Sequence, residues 1–299
     1  MAYSADTVVI IGLGLIGGSL ARALRHSGFS KRFVGFGHRE PSLRRGVELG
    51  VIDDFTLDLE EAIGQADILV VCTPTLVATQ MLRDILPRLG PDGPVVTDVA
   101  SVKGCLRDAA IDSLGAMPPR LVLAHPIAGS ERSGVEASNA GLFVNHRVIL
   151  TPVEGNDPEA VRLVRDMWDS TGAEVLDMAV DEHDAVLAAT SHLPHVLAYA
   201  LVDALAQSPA SEDIFRFAAG GFRDFTRIAS SDPAMWRDIA IANRSALLES
   251  IDLFSEHLGR LRRAVVEGDG EQLFATFSRA KCARDEFAAL LAERGLRKS

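Results

Sequence analysis

The chain has 299 residues, 47% of them hydrophobic, enough apolar material for a substantial core and for two domains. Its net charge of −11 and pI near 5.2 exclude the basic face that nucleic-acid or anionic-membrane binding needs, so a small-molecule substrate is expected. The three cysteines, Cys72, Cys105 and Cys282, are odd in number and widely spaced, which excludes a disulfide framework or a zinc motif and fits a reducing cytoplasm.

The apolar run at residues 8–20 is preceded by Asp6 and by no Lys or Arg, so it reads as strand, turn and helix start and not as a secretion signal. No run approaches the ~20 consecutive apolar residues expected of a membrane span. Short β-rich runs follow at residues 33–36, 68–72, 95–97, 121–124 and 148–150, with helical patterns between most of them. That alternation predicts a parallel sheet with crossover helices, and runs such as ILVVC suit strands covered on both faces. Residues 157–170 read as a further helix opened by Pro158, and 174–178 as a last strand.

The first run continues as VVIIGLGLIGGSLARAL, a buried strand followed by Gly12, Gly14 and Gly17 in GxGxxG spacing. Gly12 allows the tight turn, Gly14 lets backbone approach a pyrophosphate, and Gly17 lets helix pack on strand. The free N–H groups of Leu15, Ile16 and Gly17 at the helix N-terminus then face the phosphates of a dinucleotide. An acid that meets the adenosine ribose of NAD is expected at the end of the second strand. This chain has Gly37 there, followed by His38 and Arg39, a combination that accommodates a 2′-phosphate, so NADP is favoured over NAD. Two alternatives stay open, that Glu40 takes the ribose role or that Arg39 stacks on adenine. Thr73 and Pro74, at the tip of the ILVVC strand, line the same cleft.

Two further strands end in polar segments. DVASVKG carries Ser101, and HPIAGSERSG begins with His125 directly after the LVLA run. A histidine there sits at the carboxyl edge beside the nicotinamide, mostly neutral at pH 7 and able to take a proton from an alcohol. Ser101 is placed to reach both that imidazole and a substrate hydroxyl.

After about residue 181 the strand signal stops and the pattern becomes helical, which sets domains at 1–180 and 181–299. Pro194 starts or kinks a helix. A loop at 220–232 holds Arg223, Asp224 and Arg227. Arg227 suits bidentate carboxylate binding, Arg223 an interdomain salt bridge, and Asp224 would hold an arginine in position. His183, His192 and His195 lack the HExxH glutamate and any nearby cysteine, so no metal is expected. A long helix follows Pro233, along which Leu247, Ile251, Phe254, Leu258, Leu261 and Val265 step by four and three alternately. The stripe reads as internal helix packing or as a dimer seam.

GLGLIGGSLARAL, DVASVKG, HPIAGSERSGVEAS, ATSHLPHVLA and GGFRDFTRIASSDPAMWRDI together resemble the prephenate/arogenate dehydrogenase family of tyrosine biosynthesis, over most of the chain from Val8 to Asn243. The resemblance implies a Rossmann-type doubly wound sheet followed by an all-helical dimerisation domain, a homodimer, and a cytoplasmic enzyme. It implies oxidative decarboxylation of prephenate to 4-hydroxyphenylpyruvate, or of arogenate to tyrosine, with hydride passing to NAD(P). His125 would take the ring hydroxyl proton and Ser101 would orient that pair. His195 and Arg227 would hold substrate carboxylates, Glu131 and Asp224 would join an ionic network around the pocket, and Trp236 would shape it. No regulatory ACT domain and no fused chorismate enzyme is expected. Two other readings are a β-hydroxyacid dehydrogenase or imine-reducing enzyme, which would place a catalytic lysine in the helical half, and a nucleotide-sensing protein without a base.

Overall fold

A computed structural model describes residues 4–129 and 132–297. Its first elements are β1 (Ala5–Ile11), α1 (Leu15–Ser27), β2 (Ser30–Phe36), α2 (Glu40–Glu48), β3 (Asp54–Thr56), α3 (Leu59–Gly64), β4 (Ile68–Val71), α4 (Thr75–Ile85), β5 (Val95–Asp98), α5 (Gly104–Leu114) and β6 (Leu121–Val122). The six strands form one parallel sheet in the order β3-β2-β1-β4-β5-β6. Val8, Val9, Ile10 and Ile68 through Val71 are all at most 1% exposed, because helices cover both faces of a parallel sheet and its central strands have no solvent side. Strand order reverses between β1 and β4, which opens a crevice at their carboxyl ends.

A second, three-stranded sheet follows, in which β7 (Ala124–Pro126) runs antiparallel to β8 (Arg147–Leu150) and β8 parallel to β9 (Glu174–Asp177). The helix α6 (Pro158–Asp169) lies between β8 and β9, capped by Asp157, whose carboxylate accepts from Glu159 N. The sequence predicts one strand over 121–124 leading straight into His125, whereas the run divides at Leu123. The reason lies at Ala124. Ala124 N donates to Asp98 Oδ1 at 3.1 Å and Ala124 O accepts from Lys103 Nζ at 2.6 Å, so buried side chains take the bonds that a continued parallel ladder would use.

The helical part comprises α7 (Val180–Leu187), a π-helical turn (Ala188–His192), α8 (Leu193–Ala206), α9 (Ser211–Arg216), α10 (Gly220–Thr226), a 3₁₀ turn (Arg227–Ser230), α11 (Pro233–Ala242), α12 (Arg244–Glu267) and α13 (Gly270–Arg297). Residues 220–226 are therefore helix where the sequence predicts loop. The predicted long helix is broken at Asn243, whose side chain turns inward to donate to Asp184 O and to His192 Nδ1. Strands give way to helices at Val180, but two compact units meet at Leu247 and Leu248, because α7 and α11 pack against α5 and α4.

Val180–Ala206 is one continuous stretch long and apolar enough, by length and composition, to cross a bilayer, which the sequence reading does not anticipate. Its polar side chains His183, Asp184 and His192 are buried and hydrogen-bonded to residues of α5, β7 and α11 or their flanks, while only 22% of its most apolar window is buried.

Candidate active site

The dinucleotide crevice is built by close backbone approach. Gly12 has φ +94°, and a Cβ there would lie 2.8 Å from Thr73 Cγ2 and 3.0 Å from Cys72 O. A Cβ on Gly17 would meet Gly12 O at 2.6 Å and Ile10 Cγ2 at 2.8 Å. Gly14, by contrast, faces open space. It caps α1, whose first turn carries no acid, so the N–H groups of Leu15, Ile16 and Gly17 have no acceptor within the helix. Thr73 Oγ1 is buried without a hydrogen-bond partner among the described residues. A cradle closed to side chains, open N–H groups and an orphaned hydroxyl fit a dinucleotide pyrophosphate. Next to it, His38 and Arg39 are exposed, and Glu40 is paired with Arg44.

One strand further along the same edge, Asp98 ends β5. It is fully buried with Lys103, to which it is salt-bridged, and it also accepts from Ala100 N at 2.8 Å. Lys103 N and Gly104 N donate to the two carboxylate oxygens of Asp184 at 2.9 and 2.8 Å. Gly104 is required for that approach, since a Cβ there would lie 2.9 Å from Asp184 Oδ2. Asp184 Oδ1 meets His183 Nδ1 at 2.7 Å, and His183 Nε2 meets His125 Nδ1 at 2.9 Å. Burial, reinforced by the nearby His183 and Lys103, holds the pKa of His125 well below the ordinary imidazole value. His183 is lowered as well, chiefly by burial. Burial alone would raise the pKa of Asp184, but the bonds from His183, Lys103 N and Gly104 N bring it below the usual carboxylate value. At neutral pH the constellation is thus an anion beside two neutral imidazoles.

The helical elements supply the other wall. Pro194 has no N–H to donate, and the π-turn immediately before it adds a residue to the ladder, a distortion that is rare and clusters at functional sites. It brings His192 inward and His195 one turn on. His195 Nδ1 donates to Ser191 O at 2.8 Å, and its ring stacks on Trp236 at 3.5 Å and 18°. Trp236 is carried by α11, which starts where Asp232 accepts from Ala234 N and Met235 N. The Trp236 indole N–H is buried without a partner among the described residues. Burial and the charge of Arg227, at the head of the 3₁₀ turn, lower the pKa of His195.

These findings sort the residues singled out from the sequence. His125, His195, Trp236 and Arg227 lie on elements that converge on this region, as do the glycine turn and Thr73. Pro74 caps α4 beside Thr73. Ser101 follows β5, but among the described residues its hydroxyl makes no hydrogen bond to His125, whose Nδ1 is engaged by His183. Asp224 and Arg223 are exposed and pair with each other at 3.0 Å, a neighbour contact and not an interdomain bridge. Glu131 lies outside the described residues. The sequence reading weighs His183 only as a metal ligand and misses Asp184, Lys103, Asp98 and Asn243. Their signals were Asp98 and Lys103 inside DVASVKG and the adjacent His183 and Asp184 in VDEHDAVL; Asn243 gave none.

A family model described as the nucleotide-binding domain of prephenate dehydrogenase matches residues 20–177, and one described as its dimerization domain matches 179–279. Prephenate dehydrogenase of Bacillus subtilis is 38% identical over 94% of this chain and 76% of its own length. Cyclohexadienyl dehydrogenase of Zymomonas mobilis is 36% identical over 93% and 94%. Among solved structures, prephenate dehydrogenase from A. aeolicus in complex with hydroxyphenyl propionate and NAD+ superposes with a TM-score of 0.88 at 37% identity, covering 96% of this chain and all of that one. With a dinucleotide crevice, a buried neutral base beside it, and both family models placed end to end along the chain, this protein belongs to the prephenate dehydrogenase family of NAD(P)-dependent oxidoreductases.

Proposed function

We propose that the protein oxidatively decarboxylates prephenate or arogenate, with NADP preferred over NAD, and acts in the cytoplasm as a homodimer assembled through residues 181–299, with residues 1–180 holding the cofactor. The observation that carries this reading is His125. It is a buried, neutral imidazole in β7, next to Ala124, whose N–H bonds Asp98 at the end of β5, with Nε2 lacking a hydrogen-bond partner among the described residues. Bound nicotinamide would supply the hydride acceptor. His125 Nε2 takes the proton of the ring hydroxyl as that carbon gives up hydride, and returns it to the ring oxygen once the carboxyl has left as CO2 and its bonding electrons have entered the ring.

The two carboxylates of prephenate require cationic or donating groups, and Arg227 and His195 provide them. His195 spends its Nδ1–H on Ser191 O, so it offers a second donor only when protonated, which a carboxylate at Nε2 would favour. Trp236 keeps the imidazole plane fixed and offers its indole N–H. Ser101 contacts the substrate hydroxyl, and Asp224 and Glu131 take the part in an ionic network that the family resemblance implies. Aromatisation drives the reaction, so orientation and charge placement are the protein's main tasks. The NADP preference rests on Gly37, on the exposed Arg39, and on Glu40 being engaged by Arg44.

The test is a two-by-two assay of prephenate and arogenate against NAD and NADP, read by nicotinamide absorbance. Turnover with either substrate, faster with NADP, is expected. Arg39→Ala should lower kcat/KM for NADP by roughly tenfold while leaving NAD unchanged, as loss of one phosphate contact predicts. Absence of turnover in all four combinations would reject the activity.

A further inference from the structure

The geometry points to His183, held by Asp184, as the positioning residue that sets the tautomer of His125 and shares the proton which His125 takes up. This inference rests on the reaction proposed above. A carboxylate only accepts, so the 2.7 Å contact makes His183 Nδ1 a donor to Asp184 Oδ1. A neutral His183 then has a lone pair on Nε2, and the 2.9 Å contact makes His125 Nδ1 the donor to it. His125 is left with its lone pair on Nε2, the atom that must receive the hydroxyl proton. Each link is fixed by the one before it, and the first is anchored by Lys103 N and Gly104 N on the same carboxylate.

The arrangement resembles the acid–histidine pair of a hydrolase with one imidazole inserted, and carboxylate polarisation reaches the base through two rings. When the hydroxyl proton arrives at His125 Nε2, the cation is stabilised by its Nδ1–H bond to His183 Nε2, and behind it by Asp184. On loss of CO2 the phenolate oxygen recovers the proton, so no proton leaves the site. The charged and titratable groups facing His125 are His183 and Asp184 from α7, Lys103 and Asp98 from the turn between β5 and α5, and His192 from the π-turn. Lys103 opposes a positive charge on His125 and Asp184 favours it. The chain to Asp184 therefore offsets a cation that, among the described residues, has no other route to an anion except Asp98, already paired with Lys103.

The two amide replacements of His183 separate its two bonds. Glutamine places an oxygen near the Nε2 position and can accept from His125, whereas asparagine reaches only the Nδ1 position and keeps the bond to Asp184. With whichever substrate and cofactor the wild type turns over, His183→Asn should lower kcat by about a hundredfold or more with KM changed less than about threefold. His183→Gln should recover most of that loss. Independently of turnover, nitrogen-15 imidazole spectra of the wild type, assigned with His125→Asn, should show His125 protonated at Nδ1. Wild-type kcat in His183→Asn, equal losses in both variants, or His125 protonated at Nε2 would each overturn the inference. An inactive wild type with the Nδ1–H tautomer in place would instead sink the proposed reaction and leave the tautomer assignment standing.

Discussion

His192 is 1% exposed, and burial depresses its pKa from 6.5 to about 4 even though Asp184 pulls the other way. Asn243 Nδ2 donates to its Nδ1 at 3.0 Å, so the folded protein holds the neutral ring. A base with a depressed folded pKa binds fewer protons folded than unfolded. Its contribution is complete above the unfolded pKa and is lost as pH falls from about 6.5 through about 4. A shift of that size corresponds to about 3 kcal/mol. His125 and His183 are depressed in the same direction and add to the loss. Urea unfolding between pH 7 and pH 4 should show stability falling by at least that amount. His192→Asn, which keeps an acceptor for Asn243 and removes the titration, should flatten the fall by about 3 kcal/mol. Equal slopes for variant and wild type would show that His192 titrates unperturbed.

At the scale of elements, the turn between β1 and α1 depends on the absence of side chains more than on any bond. An alanine methyl at Gly17 would press on the carbonyl of Gly12 and on the buried Ile10, neither of which can swing aside. Gly17→Ala should cost about 1–3 kcal/mol as overpacking and raise the Kd for the dinucleotide more than tenfold by lifting α1 from the pyrophosphate path. Fluorescence titration with the cofactor and thermal unfolding check both parts. Gly14→Ala, which meets open space, should leave stability nearly unchanged while weakening binding. The same turn was legible from sequence because glycine spacing is a local code, and strands such as ILVVC were legible because burial on both faces leaves an unbroken apolar run. β3 was too short to signal, and the division between β6 and β7 depends on Asp98 and Lys103 reaching Ala124 across 26 and 21 residues of chain. His183 was unreadable as a partner of His125 because 58 residues separate them and only the docking of α7 on α5 brings them together.

At the scale of the whole molecule, the exposure of the stripe on α12 bears on the two readings that the sequence left open. Leu247 is buried, and Ile251, Phe254 and Leu261 are half-buried, but Leu258 and Val265 remain 53% and 66% exposed. On α13, Phe274, Phe277 and Phe287 are exposed as well. Exposed apolar side chains on both helices of a hairpin joined at Gly268 suit burial against a partner, and a second copy of the chain is the occupant that the proposed homodimer supplies. Charge placed on the exposed half of the stripe should therefore separate the copies without disturbing the half that packs internally. The double variant Leu258→Glu, Val265→Glu should move the mass measured by light scattering from twice 32.0 kDa toward 32.0 kDa. Its helical circular dichroism should be retained, and its dissociation constant should rise at least about a hundredfold for two charges buried against apolar neighbours. A variant that stays dimeric at the same concentration would place the seam elsewhere in the helical region, and the stripe would then be a surface of the monomer alone.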